Sequence, residues 1–186
     1  MQITLHHPES EISIAVEPVL AVNQLPQGPL IHPDAEIPNG MASLADIRIR
    51  SAGATRTLRL VGPPCCVGAA VNGDQLAVMQ FDLLTLVSLP DGQILRQQTV
   101  DCPGGCLGLY PLGDGWLIHA EDAVIRLDRE LQPLWIRCGA DIFVSVTGRD
   151  AFTLRDDRIL LRDFSDNYYD LDFQGNLIKF IKKASV

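Results

Sequence analysis

Aromatic side chains are scarce in this chain of 186 residues, at 6%. Histidine occurs four times, as His6, His7, His32 and His119, and none sits in a nucleophile or metalloprotease motif. No G-x-S-x-G elbow, phosphate-binding loop, dinucleotide fingerprint or H-E-x-x-H is present, which removes the sequence-readable enzyme classes. The expectation is therefore a protein that is not an enzyme and that carries no cofactor. Apolar runs are broken by charge or proline well short of the roughly 18 residues that a spanning helix needs. Positive charge is also short: 15 Lys and Arg against 23 Asp and Glu give a net charge of −8. Nucleic acid and anionic membranes attract clustered cations. Here Lys179, Lys182 and Lys183 form the one basic cluster apparent in the sequence, so neither is expected as a partner.

The first residues, Met1-Gln2-Ile3-Thr4-Leu5-His6-His7-Pro8, have no basic segment followed by an apolar one. That pattern predicts no export signal and a cytoplasmic setting. In that setting the five cysteines are expected as thiols.

What is present is short, β-rich and repeated. Val, Ile, Leu and Thr dominate the apolar runs, and no long stretch has a 3.6-residue period. Met41 to Ile47 is read as one or two helical turns at most. Cys66-Val67-Gly68 through Asn72-Gly73-Asp74-Gln75-Leu76 matches Cys106-Leu107-Gly108 through Leu112-Gly113-Asp114-Gly115-Trp116. The copies are about 40 residues apart, a spacing of repeat architectures. A second shared element is a hairpin. Val87 to Leu95 turns at Asp91-Gly92, Ile125 to Trp135 turns at Arg129–Gln132, and Tyr169 to Ile178 turns at Gln174-Gly175. Ile47 to Leu60 alternates about Gly53 as a further hairpin, and Glu11 to Val22 supplies a strand before it.

These observations predict an all-β single domain, residues 1–186, built of repeated antiparallel sheets. A faint first unit covers 1–64, and clearer ones cover about 65–104, 105–137 and 138–183. The segment Asn23–Gly40 holds Pro26, Pro29, Pro33 and Pro38, too many for a ladder, and is read as a long surface loop open to a binding role.

Leu127-Asp128 followed by Leu134-Trp135 resembles the end of blade repeats in quinoprotein-type and WD-type β-propellers. Leu171-Asp172-Phe173-Gln174-Gly175-Asn176-Leu177 is similar, with Phe180 near the Trp position. The first unit departs from the pattern, with Pro90 in place of the Asp. The resemblance implies a small propeller-like fold or an open propeller fragment, with homo-oligomerisation as one way to complete the ring.

Three sets of residues are candidates for function. Asp163, Phe164, Asp166, Tyr168 and Tyr169 form the most aromatic and polar stretch, expected to anchor a protein partner, with the acids steering a basic one. An immunity-type inhibitor of a basic toxin or effector fits that reading. Cys65, Cys66, Cys102, Cys106 and Cys138 lie at unit junctions, where convergent thiolates would suit a soft metal or redox chemistry. Asp163, Asp166 and Asp170 are the carboxylates that a hydrolase would use, one of them with a raised pKa.

Overall fold

A computed structural model of the chain describes residues 2–33, 40–51, 53–65, 67–102, 104–145 and 148–183. Residues 34–39 of the proline-rich loop, and Cys66, lie outside the described residues. The described chain forms four antiparallel sheets of four strands, each a simple up-and-down meander. The first holds β1 (Gln2–His7), β2 (Ser10–Ala21), β3 (Met41–Ser51) and β4 (Ala54–Gly62). The second holds β5 (Val67–Asn72), β6 (Gln75–Gln80), β7 (Leu83–Ser88) and β8 (Ile94–Thr99). The third holds β9 (Cys106–Leu112), β10 (Gly115–Ala120), β11 (Ala123–Leu127) and β12 (Pro133–Cys138). The fourth holds β13 (Phe152–Leu154), β14 (Ile159–Arg162), β15 (Tyr168–Leu171) and β16 (Leu177–Ile181).

The sheets are the blades of a propeller-like arc. The first strands of neighbouring blades, β1, β5 and β9, lie against one another, and Phe152 of β13 stacks on Tyr110 of β9. Inner positions fall to the first strands and outer positions to the last. β6 and β10 are buried along their whole length, whereas β12 and β16 are largely exposed.

Strand alternation gives each blade two working faces. In β6, Leu76 and Val78 join Ile12, Ile14, Ile47 and Ile49 of blade 1, while Ala77 and Met79 face blade 3. In β10, Trp116 and Ile118 face blade 2. Leu117 turns the other way, to Phe143, Ile159, Leu161 and Tyr169. Leu76 and Trp116 thus occupy one position in successive blades, each fully buried against the blade before it. Three clusters join blades 1 to 2, 2 to 3 and 3 to 4. Among the described residues none joins blade 4 to blade 1.

The turns explain the repeat pattern. Gly73 and Gly113 have φ of +57° and +55°, the first central position of tight hairpins that tolerate little but glycine. These turns also lock to each other: Asn72 Nδ2 donates to Gly113 O and Gly115 O, and Arg129 pairs with Asp74 at 2.6 Å. Asp128 and Asp172 each accept the backbone N–H four residues on, at 2.7 and 2.8 Å, closing the outer hairpins.

One expectation needs correction. Met41 to Ile47 is strand, not helix. Ala45, Ile47 and Ile49 point into the core while Arg48 and Arg50 point out, so a period of two governs the segment. The proline-rich segment, where described, covers blade 1. Leu25 and Leu30 pack on Ala42, Leu44 and Val61, the face of blade 1 turned away from blade 2. Ile31 bonds the β4 edge through Arg59 O and Val61 N–H at 2.8 and 2.9 Å, a single parallel bridge. This end of the arc is capped, as terminal repeats require.

Candidate functional site

Blade 4 carries the residues of interest, and its local structure begins with one carboxylate. Asp163, at the end of β14, is 2% exposed. Its Oδ1 accepts the Asn167 N–H at 2.8 Å, and its Oδ2 accepts Asn167 Nδ2 at 2.8 Å and the Tyr169 hydroxyl at 2.7 Å. It closes the β14–β15 turn as Asp128 and Asp172 close the outer hairpins. The Tyr169 hydroxyl also accepts the Ala140 N–H at 2.8 Å, tying the long β12–β13 connection to the blade. The ring packs edge-on to Phe143 and tilted on Phe180. Burial pushes the Tyr169 phenol up, and bonding to Asp163 adds to the effect. Asp163 and Tyr169 are therefore structural members of the turn and do not reach the surface.

Asp166 stands at the tip in the left-handed region, with φ of +63°. Its carboxylate faces Lys183 at 3.1 Å, Arg162 at 3.5 Å and Arg149 at 3.7 Å. The bond from Lys183, followed by the positive charges of Lys183, Arg149 and Arg162, holds it below the usual carboxylate range. That is the opposite of the raised pKa expected of a hydrolase acid. Asp170 is half-buried and faces Arg158 at 3.5 Å. Phe164 is exposed at the same turn.

Tyr168 alternates with Tyr169 and so lies on the outer face of the blade, which no other blade among the described residues covers. The Arg162 guanidinium sits over its ring, 5.4 Å from the centroid, at cation–π distance. Around this pair is a concavity of about 490 Å³, walled by Arg149, Arg155, Arg162, Thr153, Leu160 and Tyr168, with Asp150 its acidic member. In a chain of net charge −8, this face gathers arginine. The stretch Asp163–Tyr169 contributes Tyr168 to it, while Arg149, Arg155 and Arg162 come from β14 and the chain before it.

Of the junction cysteines, Cys66 lies outside the described residues. Cys102 and Cys106 are buried, Cys65 is half-buried and Cys138 is exposed at the end of β12. Burial, with Asp82, Asp122 and Asp101 nearby, pushes the Cys102 thiol up to about 12, far from the thiolate that metals bind. Among the described residues no three His, Cys, Asp or Glu side chains are grouped to hold a metal ion. Nor is any described helix long and apolar enough to cross a membrane.

No protein-family model matches the sequence, and no curated protein does. Solved structures share the fold. BamB from Moraxella catarrhalis is similar at 13% identity over 91% of this chain and 52% of its own, with a TM-score of 0.55. HIRA(644-1017) is similar at 11% identity over 97% of this chain and 52% of its own, with a TM-score of 0.54. The computationally designed Ika8 protein is similar at 12% identity, covering 96% of this chain and 60% of Ika8, with a TM-score of 0.52. These neighbours include β-propellers, and the fold here is propeller-like. The chain spans about half the length of the first two structures it matches.

Proposed function

We propose that this protein is a non-enzymatic binding module and that the outer face of blade 4 is its docking surface. The observation that carries the reading is the concavity of Arg149, Arg155, Arg162 and Tyr168 on a sheet face left uncovered by the arc. Arg and Tyr are the residues that most often anchor interfaces, because each offers a large rigid surface with a polar end. Rigid strands hold Arg162 and Tyr168, so little order is lost on binding. Arg155 adds a guanidinium at the rim, while Asp166 steadies Arg149 and Arg162.

The sign of the site sets the partner class. The net charge of the chain favours a basic protein at long range. The docking face itself favours a partner that presents carboxylates beside an apolar group. Such a group would lie on Tyr168 and Leu160, with its acids forked by the guanidiniums.

The test is affinity capture with wild-type protein against Arg155→Ala and Tyr168→Ala, read by crosslinking and mass spectrometry. A captured partner should crosslink to blade 4 and be lost from both variants while their melting temperatures hold. Capture that survives both changes, or crosslinks confined to blades 1 and 2, would refute the assignment.

A further inference from the structure

Two successive blade boundaries differ by one exchange of charge. Leu76 opposes Val87 in blade 2 as Trp116 opposes Leu127 in blade 3. Leu86 and Arg126 therefore hold the same position, each on the face turned to the following blade. Asp128 and Asp172 close the outer turns of blades 3 and 4, so Arg129 and Phe173, one residue on, correspond as well. Between blades 2 and 3 the strand position is apolar, with Leu86 in the shared core. The rim there is charged, and Arg129 pairs with Asp74 at 2.6 Å. Between blades 3 and 4 the guanidinium is on the strand, as Arg126, and the rim carries Phe173. Asp114, the counterpart of Asp74, is left 85% exposed. It stands 3.9 Å from Arg126 Nη2, beyond hydrogen-bond distance.

The Arg126 side chain is only 8% exposed. Its Nη1 donates to Trp116 O at 3.0 Å and to Leu127 O. Its Nη2 has no hydrogen-bond acceptor among the described residues. An added Cβ at Gly113 would lie 3.4 Å from that nitrogen, so the bare glycine leaves it open. Leu112, Leu134, Trp135 and Phe173 wall a cavity of about 480 Å³ around it. The walls are fixed in place: Trp135 Nε1 donates to Phe173 O at 3.1 Å, and Arg137 Nε donates to Gly175 O at 2.7 Å. Burial works against the charge of Arg126 and lowers its pKa, with Asp114 and Asp128 opposing. A cation held this way gains from an anion that comes closer than Asp114 does.

We propose that this cavity between blades 3 and 4 is a binding site for a small aromatic carboxylate. It shares no residue with the concavity around Tyr168 and stands independently of the docking face. The carboxylate accepts from Arg126 Nη2 and takes the place of Asp114 as the near counter-ion, a charge-assisted bond in a mostly dry setting. The ring lies against Trp135, Phe173 and Leu112, where aromatic contact adds to burial. The cavity has the size of small-ligand sites, with apolar walls and one convergent cation. A single guanidinium beside one acid suits a monoanion, whereas a phosphate dianion would need further donors.

The probe is phenylpropionate, titrated into the unaltered protein by calorimetry and by the fluorescence of Trp135. Saturable binding is expected at millimolar concentration or below. Phenylpropionamide and phenethylamine, which carry the ring without the negative charge, should not saturate. Arg126→Leu places in blade 3 the residue that blade 2 has there, and should weaken binding by about tenfold or more, the scale of a lost hydrogen bond to a charged group. Asp114→Asn should tighten binding by about two- to fivefold, because it removes an exposed competing carboxylate. That position is exposed, so its melting temperature should hold, and this variant decides the matter should Arg126→Leu fail to fold. Arg155→Ala should bind as wild type does. Absence of saturation at millimolar acid overturns the proposal, as does equal binding of the amide or weaker binding by Asp114→Asn. Loss of binding in Arg155→Ala overturns it too, by placing the acid on the outer face of blade 4. A peptide ending in phenylalanine that binds where the free acid does not would overturn it in favour of a protein chain end.

Discussion

Gln80 and Ser43 meet across the boundary between the first two blades: Gln80 Nε2 donates to Ser43 Oγ at 2.8 Å, with both residues fully buried. Ser43 Oγ in turn donates to Pro63 O at 2.7 Å. The remaining contacts of Gln80 Nε2, to Ser43 O and Leu60 O, are long at 3.4 Å. Ser43→Ala thus removes the one short bond of a buried amide and leaves Pro63 O without its hydroxyl donor, and should cost about 1–3 kcal/mol. Gly62 lies in the same joint, where an added Cβ would come within 2.9 Å of Gln80 Cβ. Gly62→Ala should cost a similar ~1–3 kcal/mol through overpacking. Urea denaturation checks both, and unchanged midpoints would mean the blades do not meet through this joint.

Leu76 and Trp116 are the matched core positions of blades 2 and 3, each 0% exposed. Leu76→Ala should cost about 2–5 kcal/mol and Trp116→Ala about 3–5 kcal/mol. The indole N–H of Trp116 has no hydrogen-bond partner. Trp116→Phe should therefore be milder than the lost area alone implies, because it also removes a stranded donor. Equal midpoints for Trp116→Ala and wild type would contradict the register of the two blades.

The legible part of the fold was the part set by local chemistry. Gly73-Asp74, Gly113-Asp114, Asp91-Gly92 and Gln174-Gly175 need positive φ or a side-chain acceptor, and the structure turns at each of them. The Leu76–Trp116 match followed from counting from those glycines. What was not legible depends on contacts between distant segments. Leu25 and Leu30 sit among prolines and read as loop residues, yet they complete a small core with Val61. Asp163 in a polar stretch reads as a surface charge, but it is buried because three donors converge on it. Arg149, Arg155 and Arg162 share no spacing that marks a cluster; β14 and the chain before it bring them around Tyr168.

His119 gives the molecule a pH response. Burial pushes its pKa below the ordinary value, and the bond between its Nε2 and Phe143 O at 3.0 Å only partly opposes this. The unfolded chain then binds the proton more readily than the folded one, so stability rises with pH between the folded and unfolded pKa values. The contribution is complete above about pH 6.5 and falls away as pH drops from there toward the folded value. Melting temperatures from pH 7.5 down to 5 should decline more in wild type than in His119→Gln. Parallel curves would remove His119 as the cause.

Cysteine reactivity should follow exposure. Cys138 is exposed, whereas burial pushes the Cys102 thiol up to about 12. At pH 8 a thiol reagent should modify Cys138 rapidly in the folded protein, while Cys102 should react only on unfolding. Mass spectrometry of timed samples reads both. Early modification of Cys102 would put this junction in a more open and polar setting.

The central claim is that blade 4 is the face through which this protein meets its partner. Hydrogen exchange on a captured complex tests it most directly, because it reports each strand in the unaltered chain. The account predicts slowed exchange in β14, β15 and β16 and across residues 148–155, with blades 1 and 2 unchanged. Slowed exchange confined to the β1–β4 sheet, with blade 4 exchanging as in the isolated protein, would contradict it.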